Sequence, residues 1–152
     1  MEKSKLLAVI RIRGEVNVRR EIADTLKMLR LYHKNYCSLI FGTKPNLGMI
    51  KKVQDYVTFG EIDEPTLIEL LKCRGRMAGN KRLPESMDFK KVAKELLSGE
   101  KTLKDFDGIK PFFRLQPPRG GFERRGIKHP FSVGGALGYR KEKINELLKK
   151  ML

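Results

Sequence analysis

The sequence predicts an α+β protein: a small α/β sandwich in residues 1–62, enlarged by a helical and irregular extension over residues 63–152. Two observations carry this reading. Short β-branched runs alternate with amphipathic stretches in the order strand, helix, strand, helix, strand within the first 62 residues, the pattern of helices packed on one face of a sheet. Beyond residue 62 the periodicity turns helical, then gives way to a run rich in glycine, proline and arginine.

Each element has its own signal. Leu6-Leu7-Ala8-Val9-Ile10-Arg11-Ile12 ends at Arg13-Gly14, a buried strand running into a loop. In residues 21–31, Ile22, Leu26 and Leu29 recur at helical spacing, with Asn17 as N-cap. Tyr36-Cys37-Ser38-Leu39-Ile40-Phe41 is a second strand closed by Gly42. A short helix over residues 45–53 turns Met49, Ile50 and Val53 inward, and residues 56–62 form a third strand. Asp63-Glu64-Pro65 opens a helix through Leu67, Leu70 and Leu71, with an acidic cap and a first-turn proline whose missing N–H costs nothing. Another amphipathic helix carries Phe89, Val92, Ala93, Leu96 and Leu97 and stops at Gly99. Phe112-Phe113-Arg114-Leu115 adds a strand, and Ile144, Leu147, Leu148 and Met151 stripe a closing helix.

Charge narrows the function. The 152 residues hold 33 Lys and Arg against 18 Asp and Glu, a formal net charge of +15, and a hydrophobic content of 40% that supplies a core. So much like charge destabilises a compact chain by self-repulsion, so a polyanionic partner is its natural rationale. Residues 1–62 carry +6, residues 63–116 carry +3 and residues 117–152 carry +6, which sets two basic surfaces about a more neutral middle. No apolar run approaches the ~18 residues of a membrane span, and no signal peptide or lipidation motif is expected at the start. Cys37 and Cys73, outside any Cys-x-x-Cys pair, read as two buried thiols of a cytoplasmic protein.

The basic loop 117–131 is the strongest binding signal. Arg119, Arg124, Arg125 and Lys128 offer charge, glycines let backbone N–H groups approach phosphates, and Phe122 and Phe131 offer faces for unpaired bases. Low burial is expected of this segment, and with it mobility until RNA orders it. The loop 74–82 lacks the Gly-x-x-x-x-Gly-Lys-Ser/Thr spacing of a phosphate loop, and Gly134-Gly135-Ala136-Leu137-Gly138 is no dinucleotide fingerprint. Neither His33 nor His129 has a nucleophile tied to it, and their spacing with the cysteines matches no zinc motif. No cofactor, metal or small-molecule substrate is expected. Three functions fit the composition: an RNA-binding regulator or RNA chaperone, a small phosphate-ester or acyl-phosphate hydrolase using Arg11, Arg13 and Asn17 on an anion, and a basic protein whose partner is another protein.

The opening strand, the loop Gly14-Glu15-Val16-Asn17-Val18, the helix end Thr25-Leu26-Lys27-Met28-Leu29-Arg30-Leu31 and the closing Gly134-Gly135-Ala136-Leu137-Gly138-Tyr139-Arg140 together resemble the large-subunit ribosomal protein family called L-thirty, in its archaeal form. The resemblance spans essentially the whole chain. It implies a ferredoxin-like core over residues 1–62, shared with the shorter bacterial protein, and an extension over residues 63–152, shared with the eukaryotic relative. The long basic N-terminal extension of the eukaryotic pattern is lacking, and nothing tied to it is carried over. Also implied is a non-catalytic constituent of the large subunit, in the cytoplasm on the ribosome, touching large-subunit rRNA and neighbouring ribosomal proteins. By charge and loop position the RNA-facing role falls on Arg13, Arg19, Arg20, Lys44, Lys51 and Lys52, then on Arg74, Arg76, Lys81 and Arg82. It continues on Arg119, Arg124, Arg125, Lys128 and Arg140, with stacking at Phe122 and Phe131.

Overall fold

A computed structural model describes residues 5–14, 16–77, 81–82, 88–99 and 109–152. Its centre is β1 (Leu6–Arg11), flanked by β2 (Tyr36–Phe41) and β3 (Val57–Glu61), both antiparallel to it. Two short strands complete a five-stranded sheet of order β4-β2-β1-β3-β5. β4 (Phe113–Arg114) runs antiparallel to β2, and β5 (Gly138–Tyr139) runs parallel to β3. The chain is α+β.

Every residue of β1 is buried, because the sheet is covered on both faces. Leu7 and Val9 point to a cluster with Leu26, Leu29 and Leu31 around α1 (Arg20–Met28) and with Ile50 and Val53 of the α2 region (Lys44–Lys52). Leu6, Ala8 and Ile10 point the other way, to a larger cluster built by α3 (Glu64–Arg74), α4 (Phe89–Ser98) and α5 (Ile144–Met151). The expectation of helices on one face thus holds for α1 and α2 alone; the extension covers the opposite face. A strand buried on both sides reads as an unbroken apolar run, and so β1 does.

Boundaries follow local chemistry. α1 starts after Arg19, not at an Asn17 cap; Asn17 instead sits in a left-handed turn at φ 58°. It ends three residues short of the expected helix because Arg30 enters the left-handed region (φ 62°). The Leu31 and Arg30 amides then bond back to the carbonyls of Leu26 and Lys27, closing a Schellman cap. Asp63 caps α3 through a 2.9 Å bond from the Thr66 amide, and Gly99 (φ 81°) ends α4, both as the sequence indicates. Cys37 is buried beneath the extension, and burial pushes its thiol far up, keeping it protonated. Cys73 is exposed, contrary to expectation, because it lies on the solvent side of α3.

Residues 117–131 are mostly exposed, as their composition suggests, yet the chain from 117 to 137 is tied to the core at several points. Pro118 is buried, the Arg119 amide bonds the Lys150 carbonyl at the end of α5, and Phe122 packs against two apolar clusters. The smaller of these joins Ile12, Ala136 and Leu137 at the mouth of β1. Left-handed glycines at 120, 121, 126 and 134 let the chain fold back so that Ala136 bonds Gly126 and Leu137 bonds His129.

Candidate nucleic-acid interface

The end of the sheet where β1 finishes gathers much of the irregular chain. The Ile12 and Arg13 amides bond the Tyr56 carbonyl, Asn35 bonds Arg11, and Leu115 bonds Asn35 in turn. Arg13 lies 5.0 Å over the Tyr56 ring, a cation–π contact that holds its guanidinium at this rim. Arg11, one position inside, serves another purpose. It is 2% exposed and donates to the carbonyls of Leu31, Tyr32 and Arg13 at 2.8, 3.2 and 2.9 Å, so it braces the turn after α1 and is not an anion-binding group of a hydrolase.

The basic residues chosen from sequence fall into distinct settings. Arg19 and Arg20 are exposed at the N-terminus of α1 and Lys44 is exposed at that of α2, where the helix dipole disfavours a cation. Helix stability does not account for them. Lys51 and Lys52 occupy the last turn of α2, where the dipole favours them whatever else they do. Lys44 follows the far end of β2 and so lies at the opposite end of the sheet from Arg13. Arg74 ends α3 and Arg76 follows it; Arg82 forms a β-bridge with Arg76, and Lys81 and Arg82 are exposed. Residues 78–80 of that loop lie outside the described residues. Arg119, Arg124, Arg125 and Lys128 are exposed on the folded 117–137 segment.

Three candidates face inward. Arg140 is 3% exposed. Its guanidinium is bidentate to Glu123, with Nη2 at 2.7 Å, and also donates to Thr58 Oγ1 at 2.7 Å and the Ala136 carbonyl at 2.8 Å. It bolts the 117–137 segment to β3, and Phe131 lies against it, 4.9 Å from ring centre to guanidinium. Partial burial pushes the Glu123 carboxyl up, but the hydrogen bonds and charge of Arg140, with the charge of Lys150, outweigh that and hold it below its ordinary value. Phe122 is half-buried against two apolar clusters, and Phe131, also half-buried, belongs to neither of them. Sequence offered no sign of this because an arginine among glycines looks the same whether its carboxylate lies 17 residues upstream or its partner is RNA.

Sequence reading also overlooked a cluster of rings with a cation on it. Tyr36 stacks on Phe112 with centroids 5.4 Å apart and planes 7° apart, Tyr32 meets Phe112 edge-on at 5.5 Å, and Arg114 lies 6.0 Å over Tyr36. The pairing of β2 with β4 creates it by setting Tyr36 opposite Arg114. The only local hint was the tripeptide Phe112-Phe113-Arg114. Among the described residues no group of acidic, histidine and cysteine side chains is placed to hold a metal, and no helix is long and apolar enough to cross a membrane.

Residues 7–57, from β1 to the first residue of β3, match the family model described as ribosomal protein L30p/L7e. Nearly the whole chain is matched by curated relatives named large ribosomal subunit protein uL30. That of Methanococcus maripaludis is 53% identical over 152 residues, covering 95% of this chain and 98% of the relative. The chain belongs to the uL30 family. A uL30 from Nanoarchaeum equitans is 51% identical with 97% of this chain covered, and one from Methanopyrus kandleri is 44% identical with 93% covered. uL30 proteins are structural and not enzymatic, which sets aside the hydrolase alternative. The relatives cover 95% of this chain, far beyond residue 57, so most of the extension also has its counterpart in them.

Proposed function

We infer that this chain is a structural constituent of the large ribosomal subunit that binds and stabilises large-subunit rRNA and meets neighbouring ribosomal proteins there. The observation that carries the reading is full-length identity of about one-half to large-subunit proteins, in a chain of net charge +15. Contacts fall chiefly on phosphate and sugar, from Arg13, Arg19, Arg20, Arg74, Arg76, Arg82, Arg119, Arg124, Arg125 and Lys128, while Arg140 acts by holding the segment that presents its neighbours. Such contacts position the protein by RNA shape more than by base sequence. The chain divides functionally near residue 62, the first part forming the family core and the rest covering and extending it; the end of the family match at residue 57 supports this.

Crosslinking in the native cells followed by sequencing of bound RNA tests the reading. One compact region of large-subunit rRNA is expected. Scattered messenger or transfer RNA would replace the ribosomal role with that of a regulator.

A further inference from the structure

Three arginines from two separated parts of the chain line one groove with Leu115: Arg74, Arg76 and Arg114. Among the described residues no carboxylate lines it and none of the three is in an ion pair. Arg76 is braced by bonds from Nη1 to the carbonyls of Cys73 and Gly75 at 3.3 and 3.0 Å, which accounts for it as a cap on the end of α3. The same explanation does not extend to its neighbours. Arg74 Nε is buried without a hydrogen-bond partner among the described residues, and Arg114 enters from β4. A buried donor left unpaired is costly, and so is the convergence of three like charges. Both are relieved by one anion.

The surroundings say which anion. Arg114 is shared between this groove and the Tyr32, Tyr36 and Phe112 cluster, so a cationic cleft opens beside aromatic rings, and Tyr32 is 38% exposed. Charge for a backbone next to rings for a base is the pairing that unpaired nucleotides require. We propose that the groove formed by Arg74, Arg76 and Arg114 binds a phosphodiester of single-stranded RNA, with the adjoining base against the Tyr32 and Phe112 edge. This deepens the RNA-binding reading and rests on it.

The test uses the full chain and whole large-subunit rRNA, with affinity measured across a potassium chloride series. The double variant Arg74→Gln with Arg114→Gln is compared with Lys90→Gln with Lys91→Gln, which removes equal charge from the exposed face of α4. The groove variant is expected to bind about tenfold or more weakly, with a salt slope reduced by about one. The α4 variant should change affinity by less than about threefold. Equal behaviour of the two variants overturns the groove and leaves the RNA-binding reading intact; failure of the unaltered protein to bind overturns both. Should the groove variant fail to fold, the unaltered protein decides. Its Arg74 Nε–H resonance should shift on titration with hexauridylate, and an unmoved resonance at saturation overturns the proposal.

Discussion

Gly60 sets how closely α5 can approach the sheet. A Cβ there would fall on the Lys141 carbonyl and 2.8 Å from Ile144 Cβ, so the first turn of α5 seats on bare backbone of β3. Gly60→Ala is expected to cost about 2 kcal/mol through overpacking and lower Tm by about 5 °C in a thermal melt. Glu123 gives the residue scale a pH signature. Its carboxyl is held below the ordinary value in the folded state, so over that interval the unfolded chain binds more protons and stability rises with pH. The contribution is complete above the unfolded carboxyl's value and is lost as the pH falls through the lower folded one. Urea melts should therefore show the protein outlasting Glu123→Gln at neutral pH, with the gap closing under acid. A gap independent of pH would mean that the charge of Glu123 does nothing for Arg140. In the sequence neither residue was legible as a partner of the other, because the bond depends on how the glycine turns between them fold.

At the scale of elements, the long helices and the strand around Phe113 were readable, and the last short strand was not. α3 and α4 announce themselves by Asp63 and Gly99 as well as by their apolar stripes, because caps and periodicity are local; the Asp88 cap of α4 was overlooked. β4 was expected from Phe112-Phe113-Arg114-Leu115, whereas β5 has two residues and exists only because β3 presents an edge to it, so no period-two signal could mark it. The same dependence on distant chain explains why the attachments of 117–131 were not legible. Its Gly, Pro and Arg content describes a surface loop, whereas its position depends on Ile12, Thr58 and the end of α5. Amide exchange in the isolated protein is expected to show protection at Arg125, Ala136 and Leu137, whose N–H groups bond within the segment, against fast exchange at Lys128 and Ser132. Uniformly fast exchange would return the segment to the mobile state that its composition suggested. Gly135→Ala should erase the protection, since a Cβ there meets the backbone of His129.

For the whole molecule, the net charge of +15 makes salt act in two directions. Screening relieves self-repulsion of the free protein and competes with phosphates for its arginines. Added potassium chloride should therefore raise Tm in the absence of RNA and weaken RNA affinity, with a slope of about 0.7 per phosphate neutralised in a single strand. A Tm indifferent to salt would show that the positive charges are too dispersed to repel appreciably. Composition alone carried this much, and the resemblance to a ribosomal family extended it; which basic residues face outward needed the fold, as the contrast between Arg140 and Arg114 shows.

The double-sided burial of β1 also bears on how the protein is made. Leu6, Ala8, Ile10 and Cys37 are synthesised early, yet the side chains that cover them include Phe113, Ile144, Leu148 and Met151. Until residues 144–151 have been made, the emerging chain carries a half-finished sheet whose uncovered face is a strip of sticky apolar surface, open to wrong partners. Helix α5 is then a latch, and a chain stopped just before residue 144 would be vulnerable to aggregation and proteolysis although the rest of the sheet had been made.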